Sequence, residues 1–331
     1  MRRTHSGAAP PLAPAQTSVP DLPDLPPARA TDRRLVLDAV TYARPLGFRP
    51  LLMDVHLPSG HSGPVPCVVW IHGGGWRDGD RRFPPGNWGQ DDHWFRLLVA
   101  SGMAVATIDY RLSGEARYPA QLADAQAAIR FLRHHAGRLR IDPDRIGVAG
   151  ESAGGHLAAL VALTGDSPVA PTDRSVVGPS SAVTAAVPMY AVTDLLAFGP
   201  DGPDGAGDET WAGPHPVDLL LGQRACEVVD IARDASPVRH VHGSAPPMLL
   251  LHGEEDTVVP SGHSERLAAA LASVGATVRL ELVLGGEHCF AGADPAPALQ
   301  SAVAFLVEHL GARPARHAAD VAQAGDGGDQ L

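Results

Sequence analysis

Ser152 lies in the run Gly150-Glu151-Ser152-Ala153-Gly154-Gly155, and well upstream stands a second run, His72-Gly73-Gly74-Gly75-Trp76. A Gly-x-Ser-x-Gly segment bends a strand sharply into a helix and leaves the serine exposed at the tip. A glycine-rich loop of the second kind offers backbone N–H groups to a developing oxyanion. A serine hydroxyl is a weak nucleophile until a base removes its proton, and the base needs a third group to fix its tautomer. Together these residues point to acyl transfer by a nucleophilic serine.

The acid and the base should follow the serine in that order on an open sheet. Asp256 is the acid candidate, in Leu251-His252-Gly253-Glu254-Glu255-Asp256, where the loop beyond a buried strand opens. Glu254 and Glu255 compete with it but read as solvated, and Asp194 competes because it follows the preceding strand. His288 is the base candidate, since Gly285 and Gly286 end the last strand and turn the chain back. Of the sixteen histidines, His252 precedes the acid, His263 opens a helix and His309 sits inside one. Ala153, Gly73 and Gly74 are the candidate oxyanion-hole amides, each worth roughly 3 kcal/mol of barrier. His72 reads as an anchor of its loop, and Asp109 with Arg111 as a loop-holding pair. Trp76, Trp88, Trp94 and Phe83 lie close enough in sequence to the glycine loop to line an acyl or alcohol pocket, although aromatics more often fill a core.

Alternating strands and helices must position these groups. Arg34 to Thr41 and Leu51 to Leu57 read as early strands. Cys67 to Ile71, Met103 to Ile108, Ile146 to Ala149, Val183 to Met189 and Met248 to Leu251 are apolar runs of the kind covered on both faces. Leu280, Leu282 and Leu284 alternate as a final strand. Helices are expected after Pro119 (Leu122, Ala125, Ile129, Leu132), over Ala153 to Leu163, along Leu267, Leu271 and Val274, and along Leu299, Val303, Leu306 and Leu310. This rhythm predicts an α/β fold, a mostly parallel central sheet with helices on both faces. The domain should run over 31–311, between a Pro/Ala-rich disordered segment 1–30 and a disordered tail 312–331. Residues 198–246, with Trp211, break the rhythm and form either a partial cap or a surface loop with a short helix.

The 331 residues carry a formal net charge of −11, which disfavours nucleic acid and anionic membranes as partners. The chain has no lysine, which excludes a protein Schiff base, a P-loop lysine and a Ser–Lys dyad. Cys67, Cys226 and Cys289 give neither a disulfide framework nor zinc spacing, and Cys289 reads as a small apolar side chain beside the candidate base. No metal and no organic cofactor is expected. Arg2-Arg3 has no apolar stretch behind it, so the expectation is a cytoplasmic protein without a signal peptide.

Residues 35 to 310 resemble the α/β-hydrolase superfamily, and within it bacterial esterase/lipase enzymes with an HGGGW loop and a GESAGG elbow. The nearest pattern is that of acetyl-xylan and feruloyl esterases, echoed in Val69 to Trp76, Asp109-Tyr110-Arg111-Leu112-Ser113, Tyr118-Pro119-Ala120-Gln121 and Asp142 to Gly147. The chain departs from hormone-sensitive-lipase relatives, which usually carry an Asp-Pro-Leu-type acid motif and an N-terminal helical cap. The resemblance implies a Ser152–His288–Asp256 triad that hydrolyses short-chain acyl esters through an acyl-enzyme. A small soluble ester is the expected partner, and a homodimer is compatible with this reading. Aryl formamide hydrolysis, as in kynurenine formamidase, keeps the triad and changes the bond; an inactive hydrolase scaffold that only binds is the third reading.

Overall fold

Cys67-Val68-Val69-Trp70-Ile71 lies inside β4 (Val65–Ile71), where every residue is buried. Successive side chains of a strand point to opposite faces, so a run apolar at every position needs cover on both. Cys67, Val69 and Ile71 enter one core, and Val68 and Trp70 enter the other. The computed structural model describes residues 19–31, 34–61, 63–89, 92–165, 174–204 and 213–313.

The other strands are β1 (Arg29–Thr31), β2 (Arg34–Ala43), β3 (Leu51–Pro58), β5 (Ala104–Ile108), β6 (Ile141–Glu151), β7 (Ala186–Met189), β8 (Met248–Gly253) and β9 (Val278–Val283). They form a nine-stranded sheet in the order β1-β2-β3-β5-β4-β6-β7-β8-β9. The first three strands run antiparallel up to the β3–β5 pair, and every pairing from β5 to β9 is parallel. Strand order reverses about β4, so the loops after β4 and β6 leave side by side, which is where open α/β sheets place ligands.

One face of the sheet is covered by α2 (Ala120–His134), α4 (Ala153–Thr164) and α8 (Gly262–Ser273). The other is covered by α1 (His93–Ala100) and α9 (Ala296–Leu310). Every residue of α4 is buried. It is a helix apolar all round because the sheet lies under it and α2 and a 3-10 turn (Pro237–His240) lie over it. Short helices α3 (Ala136–Leu139), α5 (Leu195–Phe198), α6 (Pro216–Leu221) and α7 (Val229–Asp234) complete the described residues.

Several expectations are corrected. Leu284 lies past the end of β9, the edge strand of the sheet, and is 82% exposed. Val274 follows α8 as its C-terminal cap instead of facing the core. β6 begins at Ile141, ahead of the apolar run at Ile146. Helix α1, unforeseen, buries Trp94, Phe95, Leu98 and Val99. Of the segment expected to be disordered, 1–18 lie outside the described residues, but Leu22 and Leu25 pack on the core and Arg29–Thr31 pairs with β2. Ala312 is buried, while 314–331 lie outside the described residues, as does Trp211.

Candidate active site

β6 ends at Glu151 and α4 begins at Ala153, leaving Ser152 alone in the turn with φ 53° and ψ −118°. A non-glycine residue there stores about 1–3 kcal/mol of strain. The turn is held by Ser152 N–H to the Met189 carbonyl and by His156 N–H to the Ser152 carbonyl, each 2.9 Å. Gly154 lets α4 lie against β4, since a Cβ there would sit 2.1 Å from the Ile71 carbonyl oxygen.

β8 ends at Gly253 and delivers Asp256. Its Oδ1 accepts the amides of Val258 at 2.9 Å and Val259 at 2.8 Å. Its Oδ2 faces His288 Nδ1 at 2.7 Å, and His288 Nε2 lies 3.0 Å from Ser152 Oγ. An ionised carboxylate only accepts, so Nδ1 carries the proton and Nε2 is left to accept the Ser152 hydroxyl. Burial pushes the Asp256 carboxyl up. The contacts of His252 and His288 and the Val259 amide overcome this and hold it below the usual carboxylate range. The acid therefore stays ionised under the imidazole.

The structure thus brings Ser152, Asp256 and His288 together in one chain of hydrogen bonds. The competitors stand elsewhere. Glu254 and Glu255 are exposed, and their amides tie the acid loop to Val283 and Gly286. Asp194 caps α5, accepting from Leu196 and Ala197. His252 is buried behind the acid, giving Nε2–H to the Val259 carbonyl at 2.8 Å and accepting from the Ser264 hydroxyl at 2.7 Å. His263 sits at the start of α8 with its Nδ1 accepting from the Thr193 amide, and His309 lies within α9.

The glycine loop follows β4. Its downstream half is left-handed, with φ of 98° at Gly74, 59° at Gly75 and 57° at Trp76. The Gly74 carbonyl accepts the amides of Arg77 and Asp78, both at 3.1 Å. Here the structure corrects one expectation: the Gly73 N–H is donated to Glu151 Oε1 at 2.5 Å. Glu151 reaches across from the elbow and occupies the amide that sequence reasoning aimed at an oxyanion. Burial raises the Glu151 carboxyl above its usual range, opposed by the nearby His288 and the Gly73 amide. His72, kept neutral by burial, stacks on Tyr110 at 4.5 Å, and the Tyr110 hydroxyl donates to the His72 carbonyl at 3.1 Å.

Asp109 and Arg111 do not pair with each other. Arg81 sits between Asp109, at 2.9 Å, and Asp54, at 3.0 Å, while Arg111 pairs with buried Asp124 at 2.8 Å. Of the four aromatic candidates, only Phe83 lines the cleft over Ser152; it is 63% exposed. Trp76 is buried behind the glycine loop, and Trp88 and Trp94 pack around Trp70 of β4. Trp88 has a second task that the sequence does not signal. With Asn87, it donates to the Cys289 carbonyl, at 3.0 and 2.8 Å, pinning a left-handed pair, Cys289 and Phe290, directly after His288. Burial pushes the Cys289 thiol up to about 12, so it stays protonated.

The cleft has a volume of about 370 Å³, with walls from the glycine loop, Arg77, Asp78, Asp80, Phe83, Val258 and Cys289, and with Ser152 and His288 at its base. The described part of 198–246 packs behind the glycine loop: Pro216 of α6 lies against Gly75, and the Leu220 carbonyl accepts the Tyr118 amide at 2.9 Å. Among the described residues, no group of three or more His, Cys, Asp or Glu is placed to hold a metal ion, and no helix is long and apolar enough to cross a membrane.

The BD-FAE family model matches residues 53–271. Esterase LipQ of Mycobacterium tuberculosis is 32% identical over 250 residues, covering 74% of this chain and 55% of LipQ. The chain spans little more than half the length of the curated relatives it matches first. A truncated carbohydrate esterase from gut microbiota superposes with a TM-score of 0.69 at 26% identity, over 87% of this chain and 100% of that one. Est2 of Thermogutta terrifontis, an esterase solved with propionate bound, gives 0.64 at 26% identity, over 82% and 94%.

Proposed function

Because this chain belongs to the BD-FAE family and has the α/β-hydrolase fold, we propose that it is a serine hydrolase of short-chain carboxylic esters, with Ser152 as nucleophile, His288 as base and Asp256 as its orienting acid. The observation that carries this reading is the unbroken hydrogen-bond chain from Asp256 through His288 to Ser152 Oγ. Ser152 Oγ attacks the ester carbonyl while its proton passes to His288 Nε2. The resulting imidazolium is stabilised by Asp256. The tetrahedral oxyanion is met by the amides of Gly74 and Ala153, the latter at the N-terminus of α4, where the helix dipole favours negative charge. Collapse expels the alcohol, which takes the proton from His288. Water, deprotonated by the same ring, then releases the acid and regenerates Ser152.

The short acyl preference rests on the cleft, whose 370 Å³ lies near the low end of the ~300–1,000 Å³ common for ligand sites. Propionate in the neighbouring Est2 structure supports the same size class.

The test is hydrolysis of p-nitrophenyl esters from acetate to octanoate, wild type beside Ser152→Ala. The expected result is an optimum at two to four acyl carbons and a loss of about a millionfold in the variant. Cleavage of N-formylkynurenine with no ester turnover would replace the ester by a formamide. A folded wild-type protein inert to both would leave only the binding scaffold.

A further inference from the structure

Trp76 closes the glycine loop in a left-handed conformation, and its indole is buried. Its Nε1–H donates to His156 Nδ1 at 3.1 Å. The other nitrogen of the same ring, Nε2, lies 2.7 Å from the Ala235 carbonyl oxygen, just beyond α7. A carbonyl only accepts, so Nε2 carries the ring's one proton, and Nδ1 is free to accept the indole N–H. The imidazole is fully buried and stands edge-on to the indole at 83°. His156 is also one turn along α4 from the serine, its amide bonded to the Ser152 carbonyl. A single neutral ring thus joins three parts of the molecule: the helix behind the serine, the end of the glycine loop, and the segment holding α6 and α7.

The position matters because Trp76 ties the downstream half of the glycine loop to the rest of the molecule, while the Arg77 and Asp78 amides close the turn on the Gly74 carbonyl. The Trp76 carbonyl accepts the Ser113 amide at 2.7 Å, and the side chain is held by His156. The Gly74 N–H belongs to the Gly73–Gly74 peptide, whose carbonyl accepts from His72 Nδ1 at 2.8 Å on the β4 side, and the Gly74 carbonyl accepts the Arg77 and Asp78 amides, so Trp76 ties the downstream half of this turn to α4. An oxyanion donor works only when held at the height of the oxyanion, and misplacement by about 1 Å costs on the order of a hundredfold in rate.

We infer that His156 is the positioning residue of the glycine loop: through Trp76 it sets the Gly74 amide against Ser152, and through Ala235 it couples that loop to the α6–α7 segment. This rests on the ester-hydrolase reading above and goes beyond it. His156 touches no substrate; it acts through the indole.

The test compares wild type with His156→Leu, His156→Gln and Trp76→Phe by kcat and KM on p-nitrophenyl acetate, with amide hydrogen exchange over residues 72–78. The Leu and Phe variants are expected to lose about ten- to a hundredfold in kcat with KM changed less than twofold. Gln, which can accept the indole N–H and donate to Ala235, is expected to recover most of that loss. Exchange over the loop should quicken in His156→Leu. A folded His156→Leu with wild-type kcat, or with unchanged loop exchange, overturns the inference. So does a wild-type kcat in Trp76→Phe, which keeps the test open if the Leu variant does not fold. Loop exchange is read whether or not the wild-type protein cleaves esters, so failure of the ester reading is seen separately.

Discussion

The two sides of the cleft are built differently. On the proposed acid–base side, Asp256, His288 and Ser152 are linked through direct hydrogen bonds of 2.7 and 3.0 Å between side chains. On the glycine-loop side, the proposed oxyanion donors are backbone amides, and a shell of side chains holds their loop: Glu151, Tyr110, Trp76 and His156. The first side depends on which residues are present. The second depends on where a backbone is held, so under the proposed reading its precision rests on the residues that hold the loop.

The sharpest break of this comparison is on the acid–base side. Asp256→Asn keeps the shape but offers His288 an amide in place of a carboxylate, so the ring loses its enforced tautomer. The expected loss in kcat is about 10⁴-fold, with stability little changed, read by steady-state kinetics and a thermal melt.

A smaller loss is expected across the cleft. In Gly74→Ala, the new Cβ would sit 2.3 Å from the Asp78 carbonyl oxygen, on a backbone already at φ 98°. The loop must shift, and the account predicts a 10²- to 10³-fold fall in kcat, the scale of one lost oxyanion donor. Covalent labelling of Ser152 by an organophosphate should slow in parallel, because its transition state draws on the same amides.

Trp88→Phe probes a side-chain prop of the backbone beside His288. It removes the indole N–H from the Cys289 carbonyl while Asn87 keeps its bond. A net cost of about 1 kcal/mol is expected for such a bond. The rate should fall by no more than about tenfold, and an unchanged rate would mean that Asn87 alone holds the turn.

The smallest effect at neutral pH is on stability. Burial lowers His56 to about 4, His156 to about 4 and His263 to about 3. Each ring stays neutral in the folded protein while the unfolded chain takes up a proton below about pH 6.5. The unfolded state then binds more protons, so stability falls as pH falls from about 6.5 towards 4, by about 1.4 kcal/mol per unit for each ring. Asp256 acts lower: its depressed value keeps its contribution until pH drops below the ordinary carboxylate range. Melting temperature against pH should therefore slope downward between pH 6.5 and 4.5, where these rings take up protons in the unfolded chain, and a flat profile there contradicts it. Of the three, His156 lies on the glycine-loop side, so its replacement by Gln should flatten part of that slope.

The difference between the two sides also explains what could be read from the chain. The meeting of Ser152, Asp256 and His288, the candidate triad, is legible in the sequence because each ends or follows a recognisable strand and their order matches the sheet's connectivity. The parallel strands were legible because burial on both faces leaves a run such as Cys67 to Ile71 apolar throughout. The shell behind the glycine loop was not. Glu151 reads as an arbitrary residue within the elbow, and only the tertiary approach of β4 and β6 brings it to Gly73. Trp88 and Trp94 lie near the glycine loop in sequence, which leaves pocket and core both open to them; packing against Trp70 of β4 places them in the core. Helix α1 does carry a signal, Trp94, Phe95, Leu98 and Val99 at helical spacing, but His93 and Asp92 give it no side-chain cap to mark its start.

The central claim is that Ser152 is the nucleophile. The most direct measurement is the mass of the intact protein, followed by peptide mapping, after exposure to diethyl p-nitrophenyl phosphate, with residual p-nitrophenyl acetate hydrolysis followed in parallel. The account predicts one diethylphosphoryl group on Ser152, activity lost in proportion to labelling, and neither labelling nor activity in Ser152→Ala. Ester hydrolysis that persists in Ser152→Ala, or an inactivating label on any other residue, would contradict it.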